Sequence, residues 1–202
     1  MIARRGLPVL LAAALLAGCA ASPPTRYHAL VQPPQAVSGG SAKLLVELLP
    51  IAVPERLNRD EMVLTGADGS IAVRDGDHWA APLSDEIRQM VADALWRRNA
   101  AADQYKAPVP TAASRLPQYR MSVRIERFDA GKGRPALVDA SWSVRRLPEG
   151  EAAVCRASFS QGSSAETPDA AAQALSAATA QLAEAIAVSL ERLNLGLADK
   201  CP

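Results

Sequence analysis

The chain has 202 residues, with 22 lysines and arginines against 21 aspartates and glutamates and a formal net charge of +1. A balance this close to neutral excludes a broad nucleic-acid footprint, which needs a basic excess gathered on one face. Hydrophobic residues make up 49% and aromatics only 4%, so the length suits a single domain around one aliphatic core.

The opening stretch is addressed to a membrane. Arg4 and Arg5 precede an apolar run from Leu7 to Leu16, broken only by Pro8, and Leu16-Ala17-Gly18-Cys19 ends it. Charged, hydrophobic and small-residue regions in that order form a secretory signal, and an apolar run of about ten residues is half of what a spanning helix needs. The last four residues resemble a bacterial lipobox. That resemblance implies removal of residues 1–18, a diacylglycerol on the sulfur of Cys19 and a further acyl chain on its new amino group. Two or three acyl chains anchor stably, each buried methylene contributing about 0.8 kcal/mol. Ala20, where lipoproteins retained at the inner membrane often carry aspartate, implies an outer-membrane anchor facing the periplasm. The competing reading is an ordinary signal peptide with an incidental cysteine.

Residues 19–42, rich in Ala, Ser, Pro and Gly, read as a lipidated cysteine and a flexible tether. Tyr27-His28-Ala29-Leu30 is the stretch within it able to dock as a short edge strand. Residues 43–202 form the domain proper. The continuous apolar run from Lys43 to Leu49 predicts a central strand covered on both faces, and Pro50 to Pro54 is expected to end its ladder because proline lacks a donor. Glu55 to Arg59 reads as a tight turn or one helical turn, and Met62–Thr65 with Ser70–Arg74 as a hairpin around Gly66-Ala67-Asp68-Gly69.

A helix is predicted from Pro82 to Arg98. Leu83, Ile87, Met90, Val91, Ala94 and Leu95 recur at helical period, Asp85 and Glu86 suit the first turn, Arg97 and Arg98 the last, and Asn99 a left-handed exit. Ala100 to Pro117 is a long connection with a short strand expected near Val109. The period then changes to two. Tyr119–Glu126, Val138–Arg145 and Ala153–Phe159 alternate apolar with polar, turning at Gly131-Lys132-Gly133 and at Leu147-Pro148-Glu149-Gly150. A last helix runs from Pro168 to about Leu195, with Thr167 as its N-cap and Gly196 closing it. The expected fold class is α+β: a mostly antiparallel sheet with two main helices packed on one face, in the order strands, helix, strands, helix.

With Cys19 lipidated, Cys155 and Cys201 remain in an oxidising compartment, where a disulfide is the default and two separate thiols the alternative. Two cysteines and two distant histidines match no zinc spacing, so neither a metal nor a cofactor is expected. The chain contains no G-x-S-x-G elbow, H-E-x-x-H pair or phosphate loop. His28 lies in the tether and His78 at a corner beside Trp79, so no catalytic residue is assigned and the chain does not read as an enzyme. Arg120, Arg124, Arg145 and Arg156 read as a solvated sheet face balanced by Glu126 and Asp139, with a binder of phosphate head groups or of an acidic partner as the rival. The alanine-rich last helix reads as core, with a lipid groove as its rival; Trp79 and Trp142 read as core anchors.

Pro50 through Arg59, then Met62-Val63, then His78-Trp79-Ala80-Ala81-Pro82-Leu83 resemble the PqiC family, the ABC-type transport auxiliary lipoproteins. Tyr27 and Leu30 extend the resemblance, as does Tyr119 to Asp129 with its ending Arg127-Phe128-Asp129. The likeness spans nearly all of the mature chain and consists of fold positions without a catalytic signature. It implies an auxiliary lipoprotein at the outer-membrane end of an ABC/MCE transport system that moves phospholipid or other apolar molecules between the membranes and supports membrane integrity. It also implies an MCE-domain protein and an inner-membrane permease and ATPase as partners, with a homo-oligomer as a candidate state. The Pro50 to Arg59 loop and the hairpin after it are expected to contact a partner through Arg56, Leu57 and Arg59. In the rival reading Leu57 plugs the core and the two arginines cap carbonyls. A periplasmic lipid-binding carrier, holding an acyl chain between helices and sheet, is the alternative function.

Overall fold

A computed structural model describes residues 24–31, 40–107, 115–162 and 167–202. The signal segment, Cys19 and the strand expected near Val109 lie outside them. In chain order the elements are β1 (Arg26–His28), β2 (Leu44–Leu48), a single 3-10 turn (Glu55–Leu57), β3 (Glu61–Thr65), β4 (Ile71–Trp79), α1 (Leu83–Asn99), β5 (Ala101–Asp103), β6 (Gln118–Gly131), β7 (Arg134–Arg146), β8 (Ala152–Gln161) and α2 (Pro168–Asn194).

The order strands, helix, strands, helix holds, but the sheet is not mostly antiparallel. There are two mixed sheets, a small one ordered β1-β4-β3 and a larger one ordered β5-β2-β6-β7-β8. β2 pairs in parallel with both β5 and β6, and β1 in parallel with β4. The reason is topological. β5 and β6 follow α1, and a strand that returns to its sheet after a helical crossover runs in the starting direction. Local turns govern the rest, so β3–β4, β6–β7 and β7–β8 are antiparallel.

Within that frame the apolar patterns decide what is buried. β2 buries Leu44, Leu45, Val46 and Leu48, as a strand with a neighbour on each edge and cover on both faces should. The ladder does not stop at Pro50. Ala52 donates to the Val123 carbonyl at 3.1 Å and accepts from Ile125 at 2.8 Å, because the residues between the prolines keep their N–H groups. α1 buries the expected stripe, but its left-handed residue is Ala100 (φ 50°) and not Asn99. β4 extends through Asp75-Gly76-Asp77 to Trp79, since a register shift between Glu61 and Met62 lets the hairpin continue past Arg74.

α2 lies against β7 and β8 and against α1. Ala171, Ala178, Ala183 and Ala187 are fully buried and give the backbone a close approach. Its buried hydroxyls are satisfied without leaving the helix: Thr179 donates to the Leu175 carbonyl at 2.7 Å and Ser189 to that of Ala185 at 3.1 Å. Ser189 also accepts from the indole Nε1 of Trp142 at 3.0 Å, which fixes the helix over the middle of β7. At the start of α2, Thr167 Oγ1 accepts from the Ala170 amide at 3.2 Å.

Candidate functional site

The amino-terminal segment from Arg26 to Val31 is docked on the domain, and a cluster of charged groups takes part in the docking. The Asp77 carboxylate, with a side chain 4% exposed, accepts from His28 Nε2 at 3.0 Å and pairs with Arg26 at 2.8 Å. The other His28 nitrogen lies 3.4 Å from Asp169 on the first turn of α2. Burial pushes the Asp77 carboxyl up, but the hydrogen bond from His28 and the charge of Arg26 outweigh it and hold the group below the usual carboxylate range. Beyond β1, the Ala80 amide donates to the His28 carbonyl at 2.7 Å, the Leu30 amide to Glu86 at 3.1 Å and the Val31 amide to Ser176 at 3.2 Å. The part of the tether expected to dock as a short edge strand does so, and it is tied to β4, α1 and α2 with Leu30 inserted in the core.

The loop proposed from sequence to meet a partner divides by depth. Leu57 is 5% exposed and belongs to the core. Arg56 and Arg59 remain at the surface, Arg56 at 3.3 Å from Asp129 and Arg59 at 3.2 Å from Glu61. Both pair with carboxylates, where the rival sequence reading had them capping carbonyls. Their guanidinium groups, 39% and 43% exposed at the side chain, are the part of the trio that can meet another molecule.

On the wet face of the large sheet the four arginines are spread in two rows. Arg120 stands opposite Arg145, but Arg120 pairs with Glu47 at 2.6 Å while Arg145 donates to the Pro148 carbonyl at 2.8 Å. Arg124 and Arg156 flank Ser141, whose hydroxyl donates to Glu126 at 2.9 Å. Guanidiniums split between separate partners do not converge on one anion. His78, the other histidine, has Nε2 at 3.0 Å from the Asp75 carbonyl, and its ring lies 6.0 Å from that of Tyr27 at a tilt of 47°. No group of three metal-binding side chains occurs among the described residues, and no helix there is long and apolar enough to cross a membrane.

At the C-terminal side Cys155 and Cys201 are joined in a disulfide that ties the tail to β8 across 46 residues of chain. Lys200 reaches Glu151 at 2.9 Å beside it. A groove of about 640 Å³ opens where the chain enters β6 and leaves β7, between Arg115 to Gln118 and Arg146 to Pro148. It lies at the end of the sheet and not between sheet and helices. The interface between helices and sheet is filled by side chains such as Trp142, Leu182 and Ile186.

The sequence pattern of the ABC-type transport auxiliary lipoprotein component family matches residues 28–187. The chain belongs to that family. The match takes in the end of β1 and runs into the second half of α2, so nearly every element above is part of the family's fold. Among solved structures, an uncharacterized protein superposes with a TM-score of 0.62 at 17% identity, over 83% of this chain and 99% of its own. A DUF330 protein from Xanthomonas campestris superposes with a TM-score of 0.54 at 18% identity, over 80% of this chain and 88% of its own. Identities this low establish a shared fold. No curated protein matches the chain.

The residue to which sequence reasoning gave no role is Asp77, placed only where Asp75-Gly76-Asp77 closes the second strand of the hairpin. Its signal was indirect: the basic side chains Arg26 and His28 in a tether otherwise poor in charge.

Proposed function

We propose that the chain is a non-enzymatic outer-membrane lipoprotein, anchored through Cys19 and facing the periplasm. In this reading it is the auxiliary component of an ABC/MCE-type system that moves phospholipid or other apolar molecules between the inner and outer membranes and so supports membrane integrity. In it residues 1–18 would be removed, Cys19 would carry the lipid, and the short stretch from Cys19 to the docked β1 would serve as the leash that joins lipid to body. The observation that carries the reading is family membership across residues 28–187, on a chain whose residues 16–19 resemble a lipobox. An MCE-domain protein is the proposed partner, met through Arg56 and Arg59, whose exposed cationic ends suit an acidic surface.

The test is replacement of the native gene by Cys19→Ser. Loss of palmitate incorporation, release from the outer-membrane fraction and sensitivity to detergent are the expected results. Unchanged fractionation and detergent resistance would sink the proposal. Capture of the MCE protein by the Arg56→Glu, Arg59→Glu double variant should fall, and undiminished capture removes those arginines from the contact. The carrier alternative requires space for an acyl chain between helices and sheet, where the core is closely packed. Phospholipid co-purified with the unlipidated domain, seen by native mass spectrometry, would favour that alternative.

A further inference from the structure

β1 fixes the direction in which the anchor leaves the body. It runs parallel to β4, with Arg26 opposite Asp77 and His28 opposite Trp79. The amino-terminal end of β1 therefore points toward the beginning of β4 and the turn Gly66 to Gly69. Seven Cα steps lead from Cys19 to Arg26, and a chain of that length spans at most about 25 Å when fully extended. Seven steps also lead from Ser70 to Asp77, which at strand spacing is about 23 Å. The reach of this leash therefore about matches the length of the hairpin, and a lipid on Cys19 would hold the bilayer surface within reach of the hairpin's tip.

The tip itself offers apolar surface. Ile71 and Val73 lie two apart on one face of β4 and are 55% and 38% exposed. The paired register of β1 covers only Asp77 to Trp79, so this part of β4 lies beyond it. The turn between β6 and β7 completes the same end. Arg134 donates to the Gly66 carbonyl at 3.2 Å, and Gly131 backs onto Thr65 so closely that a Cβ there would come within 2.3 Å of the Thr65 oxygen. Lys132 and Arg134, at the β6–β7 turn, stand here with Asp68 of the hairpin turn, a mixture that selects no strongly charged partner. Leash length and the apolar pair decide the occupant.

We propose that the tip of the β3–β4 hairpin, through Ile71 and Val73, rests on the phospholipid bilayer that holds the anchor. This rests on the lipidation of Cys19 proposed above. The test uses the full mature lipoprotein reconstituted in phosphatidylethanolamine–phosphatidylglycerol vesicles. A nitrobenzoxadiazole probe is placed on Ile71→Cys or on Glu149→Cys, which sits in the turn beyond the opposite end of β7, about 40 Å away by strand length. The probe at position 71 should shift to the blue and brighten several-fold, while that at 149 keeps its emission in buffer. Unshifted emission from both, in protein that floats with the vesicles, overturns the proposal. Protein that fails to float overturns the anchor, and the contact with it. A Gly-Ser spacer of about twenty residues inserted after Ala20 gives the leash slack. It should abolish the shift at 71, and an undiminished shift overturns leash length as its cause.

Discussion

The two ends of the body are fastened by different chemistry. At the amino-terminal side, β1 is held by a buried carboxylate shared between a histidine and an arginine. At the carboxyl-terminal side, the tail is held to β8 by a disulfide. The first fastening responds to protons and the second to redox state, so each can be opened while the other stays shut.

The largest effect should come from the tail. Cys201→Ser removes a cross-link that closes a loop of 46 residues, and chain entropy puts the cost at about 4 kcal/mol as a ceiling. Urea unfolding with and without reductant measures it, and equal midpoints would mean that the tail contributes nothing. Asp77→Ala follows, at about 2–3 kcal/mol, because it leaves the buried His28 ring without its acceptor and frees one partner of a half-exposed Arg26. Protease cleavage between residues 24 and 31 should accelerate in that variant while the disulfide stays intact.

Acid should separate the two fastenings in the wild type. The folded Asp77 carboxyl lies below its unfolded value, so its contribution is present above the ordinary aspartate range near pH 4 and is lost as the pH falls through the lowered folded value. Amide exchange at Leu30 and Val31 is expected to rise below about pH 4 with Cys155–Cys201 still closed. Protection that does not change with pH would mean that the charges are idle. Arg98→Ala should cost less, about 0.5–1 kcal/mol, since its two bonds from α1 to Glu184 and Glu191 on α2 are partly solvated. The smallest effect, within about 0.5 kcal/mol, is expected for Arg124→Ala on the wet sheet face.

Legibility followed the range of the interaction. Both helices and the β6–β7–β8 meander were readable, because 3.6- and 2-residue periods are local signals carried by Leu83 to Leu95, Leu175 to Leu193 and Tyr119 to Phe159. The parallel partners of β2 were not, because strand direction is set by where the chain goes after α1. β1 was readable from its large apolar side chains, Tyr27 and Leu30, in a linker otherwise poor in them, whereas β5, at three residues, is too short to show any period. Of the proposed contact trio, sequence left Leu57 open between partner contact and core plug. Packing decides it for the core, with Arg56 and Arg59 at the surface.

The parallel pairing of β1 with β4 bears on mechanics. With Cys19 anchored as proposed, tension arriving at Arg26 would run along the strand axis, so the bonds between β1 and β4 would share the load in shear instead of parting one by one as in a peeled hairpin. A three-residue strand thereby makes a firm attachment point, with the force passed on to α1 and α2 through Leu30 and Val31.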